Sequence, residues 1–259
     1  MSVELQRPEA CSWLSRAAEE PISATAPNPK AWLALEQPGP WGRKAPSSSQ
    51  LDRELGAELD ARAKAAGVTL VLIRRPGRLA KQQQALPRTL FAAHPAAGWL
   101  ERSVVDDPSD LLRLDLETLA GGAVPGLGRI TEDPTVLVCT NGRRDLCCAE
   151  IGRARVTELA PTLGDALWES SHLGGHRFAP TVLLLPSGVV LGRASTAQIL
   201  AAVAGELPLA AYRGRSALAA PAQAAEIAVL GAIGVEAAGS LHVATPAGEG
   251  PWEVRVTHT

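Results

Sequence analysis

The sequence predicts an α/β protein assembled from two similar halves. Three observations carry this reading. Short apolar runs suited to buried strands alternate with segments of helical period. The order strand, loop, helix, strand, hairpin, helix occurs twice. Between the two occurrences lies residues 121–128, GGAVPGLG, a glycine- and proline-rich stretch with no apolar period.

In the first half, Cys11 to Glu19 suits a short helix, and AWLALE at 31–36 suits a strand. The following QPGPWG is a loop, because Pro38 and Pro40 exclude regular pairing, and Trp41 within it is a packing anchor. Leu51, Leu55, Leu59 and Ala63 recur every four residues and predict a helix stopped by Gly67. Val68 to Ile73 reads as a second buried strand, and Arg74 to Gln84 as a solvated basic loop. Thr89–Ala93 and Trp99–Val105 flank HPAAG as a hairpin, and Asp107 to Ala120 suits one helix with Asp107 or Ser109 near its N-cap.

The second half repeats the series. Thr135 to Cys139 is a strand, Cys148 to Leu163 a helix, and Ala166 to Ser170 a short segment. Thr181–Leu185 and Val189–Leu191 form a hairpin turning at Pro186-Ser187-Gly188, before a helix from Thr196 to Leu207. This order is the thioredoxin-like pattern, so the expected architecture is tandem thioredoxin-like halves with mixed sheets. The corresponding division is residues 1–124, a half without cluster ligands; 125–211, a half with them; and 212–259, a small C-terminal appendage. That appendage reads as an alanine-rich helix, Ala220 to Ile233, and a hairpin of SLHVAT and WEVRVT.

Composition narrows the function classes. The chain of 259 residues is 46% hydrophobic, enough for an ordinary core, and its formal net charge of -2 supplies no basic excess for nucleic acid. No apolar run approaches the ~20 residues of a membrane helix. The charged, proline-broken N-terminal stretch lacks the pattern of a secretion signal, which makes the cytoplasm the expected location. In a reducing compartment, clustered cysteines point to metal or redox chemistry rather than structural disulfides. Cys11, alone near the start, reads as a buried or idle thiol.

Residues 135–178 concentrate the chemistry, holding three of the four cysteines and two of the five histidines. Cys139 ends a strand. A polar loop with Arg143, Arg144 and Asp145 follows, and Cys147 and Cys148 open the next helix. His172 and His176 are separated by three residues, and Gly174 and Gly175 between them permit positive φ, so that a tight turn can aim both rings at one point. Asp145 is placed to cap the helix.

Taking Cys139 with Cys148 gives Cys-x8-Cys followed by His-x3-His. A Cys2His2 zinc site shares the histidine spacing but normally has its cysteines two to four residues apart. A [2Fe-2S] cluster is wider than one ion, and Rieske centres put two histidines on one of its irons. The physical assignment is two thiolates on one iron and two imidazoles on the other. Two thiolates balance two ferric ions and two sulfides, so adding an electron to this neutral site is easier than to an all-thiolate one. The expected potential is therefore raised. Arg143, Arg144 and Arg177 favour the reduced anion further, and the free nitrogen of each bound imidazole makes the potential fall with pH.

CTNGRRDLCC, SHLGGHRFAPTVLLLPSG and YRGRS, together with upstream EPISATAP and WLALEQPGPWG, resemble the sucrase/ferredoxin-like family over nearly the whole chain. That resemblance implies a thioredoxin-like ferredoxin fold with a bis-histidinyl [2Fe-2S] cluster on Cys139, Cys148, His172 and His176, selecting Cys148 over the adjacent Cys147. No carboxylate pair in a glycosidase context accompanies the family name. The expected function is electron transfer without a substrate pocket, between unidentified reductase and acceptor proteins. Two alternatives use the same residues: a thiol-disulfide or peroxide reductase acting through Cys147 and Cys148, and a zinc-stabilised binding module. Nothing in the sequence sets the oligomeric state.

Overall fold

The computed structural model describes residues 9–77 and 87–233. The expected C-terminal hairpin and most of the basic loop after Arg74 lie outside them. Among the described residues ten strands form one mixed sheet, in the order β10-β9-β8-β6-β7-β2-β1-β3-β4-β5.

The first half contributes α1 (Cys11–Ala17), β1 (Ala31–Glu36), α2 (Ala45–Ser48), α3 (Arg53–Ala66), β2 (Val68–Arg74), β3 (Arg88–His94), β4 (Trp99–Val105), α4 (Leu116–Ala120) and β5 (Arg129–Ile130). The helix α3 begins where the Asp52 carboxylate accepts from the Leu55 amide at 2.8 Å and ends at Gly67, φ 78°. The single helix expected over 107–120 is instead two pieces. A 3-10 turn covers Pro108–Arg113, the chain extends at Leu114, and Asp115 caps α4 by accepting from the amides of Glu117 and Thr118. A competing cap inside the window divided it. The stretch 121–128 is a loop as expected, but the two residues after it pair with β4 as an edge strand.

The second half contributes β6 (Thr135–Cys139), α5 (Leu146–Leu163), β7 (Leu167–Ser170), β8 (Thr181–Leu185), β9 (Val189–Gly192), α6 (Thr196–Val203), β10 (Tyr212–Arg215) and α7 (Ala220–Ile233). Helix α6 stops four residues before the expected Leu207, followed by Gly205 at φ 93°. Tyr212–Arg215, from the segment assigned to the appendage, is the edge strand beside β9.

The two halves share one pairing scheme. Strand β1 is parallel to β2 and antiparallel to β3, which is antiparallel to β4; β6 is parallel to β7 and antiparallel to β8, which is antiparallel to β9. They join through the short antiparallel contact of β2 with β7, Ile73 opposite Ser170 and Arg74 opposite Glu169. Arg74 is therefore no solvated loop residue. Its guanidinium pairs with the Glu169 carboxylate, Nε at 3.0 Å, and lies 4.6 Å from the centroid of the buried Trp41 ring.

Alternation along the strands gives the sheet two apolar faces. In the first half Leu33, Leu35, Leu70 and Leu72 pack under α3 and α4. In the second, Val136, Val138, Val182 and Leu184 form a separate core with residues of α5, α6 and α7. The intervening residues, Trp32, Ala34, Val71 and Ile73 from one half and Leu137, Cys139, Trp168 and Leu183 from the other, make one shared cluster. The sheet curls so that both halves turn these faces together, and Trp32 Nε1 donates to Ser216 Oγ at 3.1 Å across the closure.

Candidate metal centre

Cys139 is the last residue of β6, on the strand face that belongs to the shared interior. The chain then turns through residues 140–145 and returns as α5, whose third residue is Cys148. Asp145 is the N-cap, its Oδ1 accepting from the Cys147 amide at 2.9 Å. Gly152, one turn further on, sits against the strand: a Cβ there would meet the Cys139 carbonyl oxygen at 2.1 Å. That close approach sets α5 against the end of β6 and brings the two thiols together.

The sulfurs of Cys139 and Cys148 and a ring nitrogen of His172 lie within 4.8 Å of one another. Cys139 is 1% exposed and Cys148 0%. The pair shares its protons unequally. Hydrogen bonding from Cys148, with His172 adding to it, holds Cys139 well below the usual thiol range, whereas Cys148 is raised by Cys139 and by burial. His172 Nδ1 is buried without a hydrogen-bond partner, an orphan that a ligated ion or cluster would satisfy. Donor chemistry and this orphan nitrogen fit a thiophilic metal group.

His176 stands beside this set. Its ring centroid is 5.7 Å from that of His172, and its Nε2 is 3.8 Å from Asp145 Oδ2. Burial lowers its pKa, partly opposed by Asp145. The turn between the histidines has positive φ at Gly174 and Gly175, 85° and 71°. Arg213, 2% exposed, holds that turn by donating to Gly174 O at 3.2 Å. Burial lowers its pKa to about 10.

The remaining expected residues separate. Arg143 and Arg144 are exposed on the loop. Arg177 turns outward and binds Glu20, Nε to Oε1 at 2.6 Å. Cys147 points away from Cys148, into a second cluster. Its sulfur is 3.5 Å from Cys11 Sγ, and Cys11 Sγ donates to Asp145 Oδ2 at 3.3 Å. Cys11 is thus not alone but has Cys147 and Asp145 as partners, which nothing in its sequence neighbourhood signals. Arg213 was equally hidden as a site residue, its only signal being the YRGRS motif.

Residues 22–211 match the sucrase/ferredoxin-like family. The chain belongs to that family. The match spans every strand of the sheet except β10, so the sucrase/ferredoxin-like region contains all the converging donors but Cys11. Comparison with curated proteins and with solved structures returns no match.

Next to the thiol loop of this sucrase/ferredoxin-like region lies an open cavity of about 750 Å³, lined by Trp41, Arg74, Asn141, Arg143, Arg153 and Glu169, among others. It is at the junction of the halves, with Thr140 in its lining. Among the described residues no helix is long and apolar enough to cross a membrane.

Proposed function

We propose that the chain is an electron-transfer protein whose second half, residues 125–211, holds a [2Fe-2S] cluster through Cys139, Cys148, His172 and His176. One observation carries the reading: two buried thiols and an imidazole with an orphaned buried Nδ1 converge at the end of a central strand. When bound, such a group supplies a one-electron couple whose potential is raised, and made pH-dependent, by imidazoles in place of two thiolates.

The chain's own residues prepare the place. Leu173, Leu137 and Trp168 pack with both cysteines and exclude water from them. The low pKa of Cys139 keeps one thiolate ready for ligation, because the thiolate and not the thiol binds metal. Arg143 and Arg144, on the exposed loop between the cysteines, and Leu146, 58% exposed, offer a cationic surface with an apolar centre for an acidic redox partner. The repeated strand pairing supports reading each half as thioredoxin-like, residues 1–124 acting as a scaffold.

Metal analysis of anaerobically purified protein, with electron paramagnetic resonance after dithionite reduction, tests this reading. Red-brown protein with two irons per chain and a reduced-cluster signal is expected. Colourless protein with one zinc per chain overturns it in favour of a binding module.

A further inference from the structure

Cys11, Asp145 and Cys147 form a cluster that the metal centre does not use. The two cysteines are 136 residues apart in sequence, yet their sulfurs are 3.5 Å apart, against roughly 2 Å in a disulfide. Other contacts already bring them near. Helix α1 is held by Arg193, which donates to Ser15 Oγ at 2.6 Å and to the Glu20 carbonyl at 3.0 Å, and by Arg177 on the Glu20 carboxylate. Both sulfurs also share a small apolar cluster with Ile151, Ala179 and Ala10. Cys11 is half-buried and Cys147 is 3% exposed, so an oxidant reaches Cys11 first.

We propose that Cys11 and Cys147 are a redox-active thiol pair that closes into a reversible disulfide, latching α1 to the first turn of α5 beside the metal centre. The oxidant is a low-molecular-weight disulfide. The Cys11 thiol gives up its proton to solvent, and its sulfur attacks one sulfur of that disulfide. One small thiolate leaves and takes up a proton from solvent. The Cys147 sulfur then attacks Cys11 in the mixed disulfide, and the second small thiol departs with the Cys147 proton. Two protein thiols are oxidised and one external disulfide is reduced to two thiols.

Geometry favours a disulfide over a bound cation here. Only three donors gather among the described residues, and both oxygens of Asp145 are occupied, Oδ1 by the Cys147 amide and Oδ2 by Cys11, whereas a closed zinc site needs four ligands. Burial, with Cys147 and Asp145 adding to it, pushes the Cys11 thiol up to about 12. Exchange is therefore slow, and the pair records sustained oxidation as a latch, unlike a turnover catalyst. This differs from a reductase working through Cys147 and Cys148, whose side chains serve separate clusters.

The test treats the full-length protein with oxidised glutathione, blocks free thiols, and maps links by mass spectrometry. A Cys11–Cys147 link that dithiothreitol reverses is expected, with loss of two hydrogens from the intact mass. It should be absent from Cys11→Ser and Cys147→Ser and present in Cys148→Ser, which lacks a proposed cluster ligand; the latch thus stands or falls apart from the iron-sulfur reading. A stable glutathione adduct on Cys11, or a link confined to Cys139 and Cys148, overturns the proposal. So does a stoichiometric divalent metal lost in both single variants without any link. Should the variants fail to fold, time-resolved alkylation of the wild type decides: the two cysteines must become protected together.

Discussion

Arg213 donates a hydrogen bond to the carbonyl of Gly174 at 3.2 Å, tying the edge strand β10 to the turn that separates the two histidines. The same guanidinium donates to Thr25 Oγ1 at 3.0 Å and to the Thr25 carbonyl, and lies 5.2 Å from the centroid of the Phe178 ring. One buried cation thus fixes the N-terminal segment, the histidine turn and the sheet edge in a single arrangement.

Gly175 is where that arrangement has no spare room. A Cβ there would lie 2.5 Å from Arg213 Nη2, at a φ of 71° that costs an L-residue about 1–2 kcal/mol. Gly175→Ala is expected to destabilise the protein by about 1–3 kcal/mol, a fall in Tm of several degrees, and to lower bound iron. Calorimetry and metal analysis check both. An unchanged Tm and iron content would show that the turn does not hold the donors.

His176→Cys should retain iron but lower the midpoint potential by on the order of 100 mV, because a thiolate adds negative charge where an imidazole adds none. Redox titration monitored by absorbance reads this directly. If the potential stays the same, His176 is not a ligand, and His172 is left as the only imidazole among the converging donors of the described residues.

The Arg74–Glu169 pair, with side chains 14% and 8% exposed, sits where the two halves meet, and Thr140 Oγ1 also donates to Glu169 at 2.7 Å. Glu169→Gln leaves a largely buried guanidinium without its counter-charge, at a cost of about 3 kcal/mol. Urea denaturation should show the midpoint falling with little change in slope. A wild-type midpoint would mean that the junction does not depend on this ion pair.

Glu20 anchors α1 to the histidine segment. Its pKa is lowered by the Ser15 hydroxyl and then by Arg177. A carboxyl depressed in the folded state contributes stability that is present above its ordinary value of 4.5 and lost as pH falls through the lower folded value. Acid titration should therefore loosen α1 below about pH 4.5, and Glu20→Gln should flatten that part of the stability curve. The measurement is Tm against pH for both proteins; parallel curves would rule out the anchor.

Much of this was legible in the chain. Strands and helices with strong local signals stand where the residues put them: AWLALE as β1, the leucine repeat ending at Gly67 as α3, and the hairpin around Pro186-Ser187-Gly188. Asp145 as a helix cap and positive φ at Gly174 and Gly175 follow from side-chain chemistry within a few residues. Cys139, Cys148 and His172 could be grouped because their spacing is itself local information, written in a strand, a loop and a turn.

Tertiary structure alone decided what depends on partners far away in sequence. Cys11 meets Cys147 across 136 residues, Arg213 reaches Gly174 across 39, and Arg74 meets Glu169 across 95. Both halves join into one curled sheet where β2 meets β7, Ile73 opposite Ser170 and Arg74 opposite Glu169, with the Ser171 amide donating to the Leu72 carbonyl at 2.7 Å beside them. Local propensity is a property of neighbouring residues, whereas these contacts arise when apolar faces pack together and buried charges and polar groups must find partners in the space that remains.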